Sequence, residues 1–257
     1  MNVKKIAVLL LAAAALSAGC AKKVEPLDAI KNAGVLKVGV KSDVPRFGLL
    51  NTATNQYEGF EIELAKLIAK DLFGDASKVA FTPVTAKTRG PLLDNGELDL
   101  IAATFTITEE RKLTYNFSTP YYTDAVGMLV KKAAGINSLA DCGGKTIGVA
   151  QSATSKEAIQ NAADAIGVSI SFLEFATYPE IKVALDSGRV DVFSVDKSIL
   201  NGYLDESTII LADSFSPQDY GITSKLASTD LAAYVDGLIR KWLADGTIPA
   251  LIKQFGL

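Results

Sequence analysis

The sequence predicts an α/β protein built from two lobes of like topology. Two observations carry that expectation. From residue 31 onward, short aliphatic and β-branched runs alternate with longer segments of helical spacing, the pattern of strand–helix–strand units with largely parallel sheets. The chain also repeats itself. Leu93-Asp94-Asn95-Gly96-Glu97-Leu98-Asp99-Leu100 is echoed by Leu185-Asp186-Ser187-Gly188-Arg189-Val190-Asp191-Val192, and Val38-Gly39-Val40 by Ile147-Gly148-Val149. The longer echo reads as a helix end, a glycine turn and the next strand; two echoes in the same order point to one unit used twice.

The chain opens MNVKKIAVLLLAAAALSAGC. Lys4 and Lys5 precede an apolar run from Ile6 to Leu16, and small residues lead up to Cys20. That is the form of a secretory signal over residues 1–19, and its apolar run is too short to span a bilayer. Leu16-Ser17-Ala18-Gly19-Cys20 resembles a bacterial lipobox, in which the cysteine becomes a lipidated N-terminus, although Ser17 stands where the lipobox usually has its leucine. Residues 20–30 are then a lipid-anchored polar linker, and the mature chain is exported to the periplasm or cell surface.

The remaining elements follow in order. LKVGV (36–40) reads as a buried strand, and GFEIELAKLIAKDLF (59–73) has helical spacing at Phe60, Leu64, Leu67 and Ile68. KVAFTPV and LDLIAA are strands. After Tyr122, AVGMLV, KTIGVA, ISFLEF and VDVFSV are strands too, interleaved with helices such as TSKEAIQNAADAI, which Gly167 stops.

Composition removes several function classes. Without Lys4 and Lys5 the mature chain keeps fewer basic side chains than its 29 acidic ones, which argues against nucleic acid as a partner. The chain has no histidine, excluding a Ser-His-Asp triad, a Cys-His pair and the commonest zinc sites. No metal cluster and no cofactor loop is legible, so no metal and no cofactor is expected. With Cys20 lipidated, Cys142 has no partner and no intrachain disulfide forms; Cys142 reads as a loop thiol without a role.

The stretch ATFTITEERK (103–112) is the first candidate for a site. Thr104, Thr106 and Thr108 would share one face of a strand, with Phe105 and Ile107 on the other, before a helix start capped by Thr108. An edge strand solvated on one side accounts for such a pattern. The repeat gives it a second meaning. Five residues beyond Asp99 lies Thr104, and five beyond Asp191 lies Asp196. Ligands of open α/β sheets bind beyond the carboxyl ends of the strands. The threonines and one acid then occupy equivalent places, one in each lobe, where they can face each other across a cleft.

The runs VGVKSDVPRFGLL, GFEIELAKLIAKDLF, LDNGELDLIAATFTITEERK, YNFSTPYYTDAVGMLV, KTIGVAQSATSKEAI and GRVDVFSVDKSIL together resemble, in order, a family 3 extracytoplasmic solute-binding protein of an ABC amino-acid importer. The resemblance spans nearly the whole mature chain. It implies the two-lobed type II periplasmic-binding-protein fold, with residues 31–122 plus 219–257 as lobe 1 and 123–218 as lobe 2. Two crossovers, around Thr123–Val130 and Pro217–Gly221, would join the lobes. By position it also implies roles: Thr106 and Arg111 for the ligand's α-carboxylate, Asp196 for its α-ammonium. The chemistry suits the types, since a guanidinium fork pairs a carboxylate through two parallel bonds and a desolvated ammonium needs a full negative charge. Ser152, Thr154 and Ser155 precede a helix whose N-terminus attracts an anion, with Thr154 also a candidate helix cap.

For the ligand's far end, the resemblance is nearest to the aspartate- and glutamate-binding members. Aromatics common in the family are absent at Val44 and Ala86, while Lys41, Arg89, Thr104 and Tyr178 match residues around the ligand side chain. Lys41, Arg89 and Arg111 against Asp196 sum to +2, which suits a ligand of net −1. L-glutamate or L-aspartate is therefore expected, with glutamine or a basic amino acid as the alternative. The expected partners are that ligand, a membrane permease and, through Cys20, the membrane itself, with the protein a monomer. An enzyme is the rival class, because some periplasmic dehydratases share this fold and Asp196 or Glu180 could serve as general acid. Adhesion or sensing through a partner protein is the third class.

Overall fold

A computed structural model describes residues 25–257; the signal peptide expected at 1–19 and the lipid attachment expected at Cys20 lie outside the described residues. Two main sheets carry the architecture. The first has five strands in the spatial order Val79–Pro83, Leu36–Val40, Leu100–Ala102, Thr223–Lys225 and Tyr115–Phe117. Its first three are parallel and Thr223–Lys225 is antiparallel to its neighbours. The second has six strands: Ser171–Phe175, Thr146–Ala150, Val192–Asp196, Tyr122–Lys131 and Thr208–Ile210 in order, with Phe215–Tyr220 also paired to Tyr122–Lys131. A small three-stranded sheet, Asp43–Val44, Gly48–Asn51 and Gln56–Glu58, stands beside the first.

The chain passes between the two main sheets twice, and the passages lie side by side: Tyr122 pairs Tyr220 and Thr123 pairs Asp219, antiparallel. Aromatic rings fill the junction. Phe47 meets Tyr122 edge-on at 5.2 Å, and Tyr122 stacks on Tyr220 at 5.8 Å. Such pairs add about 0.5–1.5 kcal/mol each beyond the area they bury, so the junction is a packed joint with few ways to bend.

The internal repeat is structural. Val38 registers with Leu100 in the first sheet, and their echoes Ile147 and Val192 register with each other in the second. Asp99 accepts a hydrogen bond from the Lys37 amide (2.8 Å), as Asp191 does from the Thr146 amide (2.9 Å). The glycines repeat for the same reason: a Cβ on Gly39 would fall 2.6 Å from Leu98, and one on Gly148 would fall 3.2 Å from Val190, its counterpart, and 2.7 Å from Ile181. A close approach of side chain to strand backbone is thus built twice.

The expected elements form with their ends shifted by at most three residues: the helices Phe60–Phe73 and Ser155–Ala165 are trimmed, and the strand Tyr122–Lys131 is longer than expected. Three expectations are corrected. Residues 26–30, taken as linker, begin the helix Pro26–Ala33, which buries Ile30 and ties the Leu27 amide to the Asp230 carboxylate (2.8 Å). Cys142 is fully buried at the end of the short 3₁₀ turn Leu139–Cys142, among Leu139, Ile147 and Val149; burial pushes its thiol up to about 11. The threonine row is not a strand face. Thr104 has a positive φ of 45°, and only Thr106 makes an isolated bridge, to Tyr220. Thr108 does cap the helix Glu109–Lys112, accepting from the Arg111 amide (3.1 Å).

Candidate functional site

The strand Leu100–Ala102 ends in a turn that local sequence does not favour. A threonine in the left-handed region is strained, and Thr104 is held there from outside the turn. The Glu61 carboxylate, on the first turn of helix Phe60–Phe73, accepts from the Thr104 amide at 2.6 Å and from the Tyr121 hydroxyl at 2.5 Å, both on one oxygen. Glu61 is fully buried and its other oxygen has no partner within the protein. The Thr104 hydroxyl and Arg89 Nε are likewise buried without partners. Burial pushes the Glu61 carboxyl up to about 7, against the pull of its two hydrogen bonds and of Arg89 and Lys41.

The turn carries Phe105 between two guanidiniums, Arg89 at 3.8 Å from the ring centre and Arg111 at 4.7 Å. Arg89, the first residue of helix Arg89–Asp94, donates to the carbonyls of Ala103 (2.6 Å) and Thr104 (3.2 Å). Arg111 donates to the carbonyls of Thr106 (2.8 Å) and, across the cleft, Ser152 (3.1 Å). Among the described residues neither guanidinium has a carboxylate within ion-pair distance. Burial, followed by repulsion from Arg89, brings Arg111 down to about 9. Two desolvated cations thus share one aromatic ring.

Lys41, just past the end of its strand, is buried and paired to Asp43 at 3.0 Å, with its ammonium 4.6 Å from the ring centre of Tyr178 in the other lobe. Asp43 also reaches that lobe: its carboxylate accepts from the Tyr178 amide (3.4 Å) and its carbonyl from the Tyr203 hydroxyl. Tyr178 opens the helix Tyr178–Asp186, which starts with a Thr177–Glu180 capping box. That box accounts for Glu180, which is exposed and away from the cleft, so it is no candidate general acid.

Asp196 ends its strand at the place equivalent to Thr104. It is buried, accepts from the Tyr220 hydroxyl, and burial pushes it up to about 7. Thr106 and Thr154, one from each lobe, both donate to the same side-chain oxygen of Gln218, at 2.8 and 2.7 Å. Thr154 makes no side-chain cap on the helix it precedes, because its hydroxyl is spent on Gln218. Ser155 is buried in the first turn of that helix; Ser152 is exposed, with a positive φ of 61°, and lends its carbonyl to Arg111. Thr106, Arg111, Ser152 and Thr154 line one cavity, and seven of the ten candidates are buried: Lys41, Arg89, Thr104, Thr106, Ser155, Tyr178 and Asp196.

Four contributors were not legible in the sequence. Glu61 stands where acids ordinarily favour a helix N-terminus, so nothing marked it as a core group. Gln218 and Tyr220 come to their places only through the pairing of distant strands, and Asp43 through the local turn that folds it back onto Lys41. Two of them change the charge sum. Asp43 and Glu61 join Asp196, so that three carboxyl groups, two of them pushed up to about 7, stand against Lys41, Arg89 and Arg111 where the sequence had counted one. The charge argument for an acidic ligand fails on this count.

Known proteins agree with this architecture. The sequence profile of the bacterial extracellular solute-binding proteins, family 3, matches residues 36–257. The chain is 38% identical over 237 residues (91% of this chain, 85% of the relative) to the ABC transporter glutamine-binding protein GlnH of Bacillus subtilis. It is 42% identical over 201 residues (77% and 75%) to a glutamine-binding protein of Geobacillus stearothermophilus. Among solved structures, an ancestral arginine-binding protein bound to glutamine superposes with a TM-score of 0.77 at 32% identity, covering 86% of this chain and 97% of that one. These likenesses fix the fold as the two-lobed α/β periplasmic-binding-protein type. The chain belongs to family 3 of the bacterial extracellular solute-binding proteins, and it is the substrate-binding protein of an amino-acid ABC transporter.

Proposed function

We propose that the ligand is L-glutamine, bound between the lobes and delivered to the permease. The observation that carries this reading is the charge balance of the cleft. Three carboxyl groups facing three cations bring the cleft nearer to balance than the +2 counted from the sequence; with Glu61 and Asp196 ionised it suits a zwitterion with a neutral side chain, and a glutamate or aspartate side chain would then be a buried charge without a partner, at several kcal/mol. Two relatives named as glutamine-binding favour the same choice.

In this reading Arg111 and Thr106, with Ser152, Thr154 and Ser155, take the α-carboxylate, and Asp196 takes the α-ammonium. Lys41, Arg89, Thr104 and Tyr178 surround the side chain, where an amide can both donate and accept but a carboxylate can only accept. Residues 31–122 with 219–257 act as one lobe and 123–218 as the other, closing as a monomer. Cys20 lipidation would hold the exported protein at the membrane beside its permease. The test is a thermal-shift screen of the twenty amino acids on ligand-stripped protein, followed by calorimetry. A ligand at a thousandfold excess over Kd stabilises by about 4 kcal/mol. Glutamine should give the largest shift; a larger shift with glutamate or aspartate would overturn the assignment.

A further inference from the structure

We infer that Gln218 is a positioning residue for the backbone end of the ligand. Its side-chain oxygen takes the hydroxyl protons of Thr106 and Thr154, which joins the lobes and leaves neither hydroxyl a proton to give a ligand carboxylate. The inference rests on the interlobe cleft as the amino-acid site and not on the choice of glutamine.

Three observations carry it. Gln218 sits on the second passage between the lobes, in the strand Phe215–Tyr220, and is buried there. It lines the same interlobe cavity as Thr106, Arg111, Ser152 and Thr154, so its amide belongs to the wall a ligand meets. The direction of that amide is fixed from its own strand. Ser216 stands at the bulge of the strand with φ 41°, and its carbonyl accepts from Gln218 Nε2 at 3.0 Å. A carbonyl needs a donor opposite it, so nitrogen faces Ser216 and oxygen faces Thr106 (2.8 Å) and Thr154 (2.7 Å). An amide oxygen only accepts, and each threonine hydroxyl has one proton. Both protons are therefore committed to Gln218, and each hydroxyl has only lone pairs left for a ligand. The α-carboxylate then falls to Arg111 and to the backbone amides of Thr106 and Thr154, which donate to no group among the described residues. One oxygen can hold a threonine from each lobe only while the lobes are closed, so Gln218 also ties this arrangement to closure.

Gln218→Met keeps the length of the side chain and removes the accepting oxygen. Thr106→Val/Thr154→Val keeps the shape of both threonines and removes their protons. L-Glutamine and L-glutamate are titrated calorimetrically into wild type, each variant and the combined variant. Gln218→Met should weaken both ligands by about tenfold beside the threonines and by less than about twofold beside the valines, because the amide acts through the hydroxyls. Equal losses in the two backgrounds would make Gln218 a plain support of the crossover and overturn the inference. If Gln218→Met does not fold, a crystal structure of the wild-type protein with bound ligand decides. Both hydroxyls should still donate to Gln218 there; a hydroxyl turned away from it to the ligand carboxylate overturns the inference. The loss is read on either ligand, so a preference for glutamate would count against the glutamine reading alone.

Discussion

Asp196 carries the sharpest single-residue expectation, because its burial opposes the charge that an ammonium needs. With its carboxyl pushed up to about 7, binding a cationic amine must release a proton below that pH. The glutamine Kd should therefore weaken by about tenfold per pH unit below 7 and level off above it. Calorimetry from pH 5.5 to 8.5 checks this, and a flat profile would detach Asp196 from the ammonium. Arg111→Leu and Asp196→Asn should each weaken glutamine by about 2–5 kcal/mol, since each strands a ligand charge in a dry site. At this scale the sequence was informative where a residue type is rare in its setting. An aspartate ending a strand and an arginine following alternating threonines were legible; Glu61 was not, because an acid in a first helical turn has an ordinary explanation.

Among the elements, the helix Phe60–Phe73 positions the most. Its entry is Gly59, at φ 131°, where an added Cβ would fall 2.3 Å from the Phe47 carbonyl oxygen. Backbone cannot yield there as a flexible side chain would. Gly59→Ala should destabilise the fold by more than about 2 kcal/mol, read from urea unfolding; a change below about 0.5 kcal/mol would show that the turn tolerates a side chain. Thr108→Ala removes the cap of helix Glu109–Lys112. It should cost about 1 kcal/mol of stability and also weaken glutamine, because the same turn holds Arg111. Helices and strands were readable from their periodicity. The turn at Thr104 was not, since its conformation is imposed by a carboxylate 43 residues away in sequence.

For the molecule as a whole, the lobes touch on both sides of the cleft. Arg111 reaches Ser152 on one side, and Tyr203 and Gly202 reach Asp43 and Pro45 on the other. This is a closed form, and ligand should favour it by differential affinity; small-angle scattering should give a smaller radius of gyration with glutamine than without. The closed form carries a second global signature. Glu61 and Asp196, with ordinary values of 4.5 and 3.8, are both pushed up to about 7 when folded. Between about pH 4 and 7 the folded chain holds protons that the unfolded chain has lost, so stability falls as pH rises through that window. The slope is up to about 1.4 kcal/mol per pH unit for each group. Chemical denaturation across pH 5 to 7.5 should show the decline in wild type and its loss in Glu61→Gln/Asp196→Asn.

What the sequence by itself determined is everything that rests on local pattern and on the repeat: alternating strands and helices, two units of like topology, and the equivalent places of Thr104 and Asp196, each five residues beyond a repeated aspartate. Those follow from side-chain periodicity and glycine placement, which are properties of short segments. The balance of charge in the cleft was decided only by the tertiary structure. Whether Asp43 and Glu61 join Asp196 opposite three cations depends on where a distant helix and a neighbouring turn come to rest. Charges act through space and not along the chain, so a count of residues matched one by one left two carboxylates out.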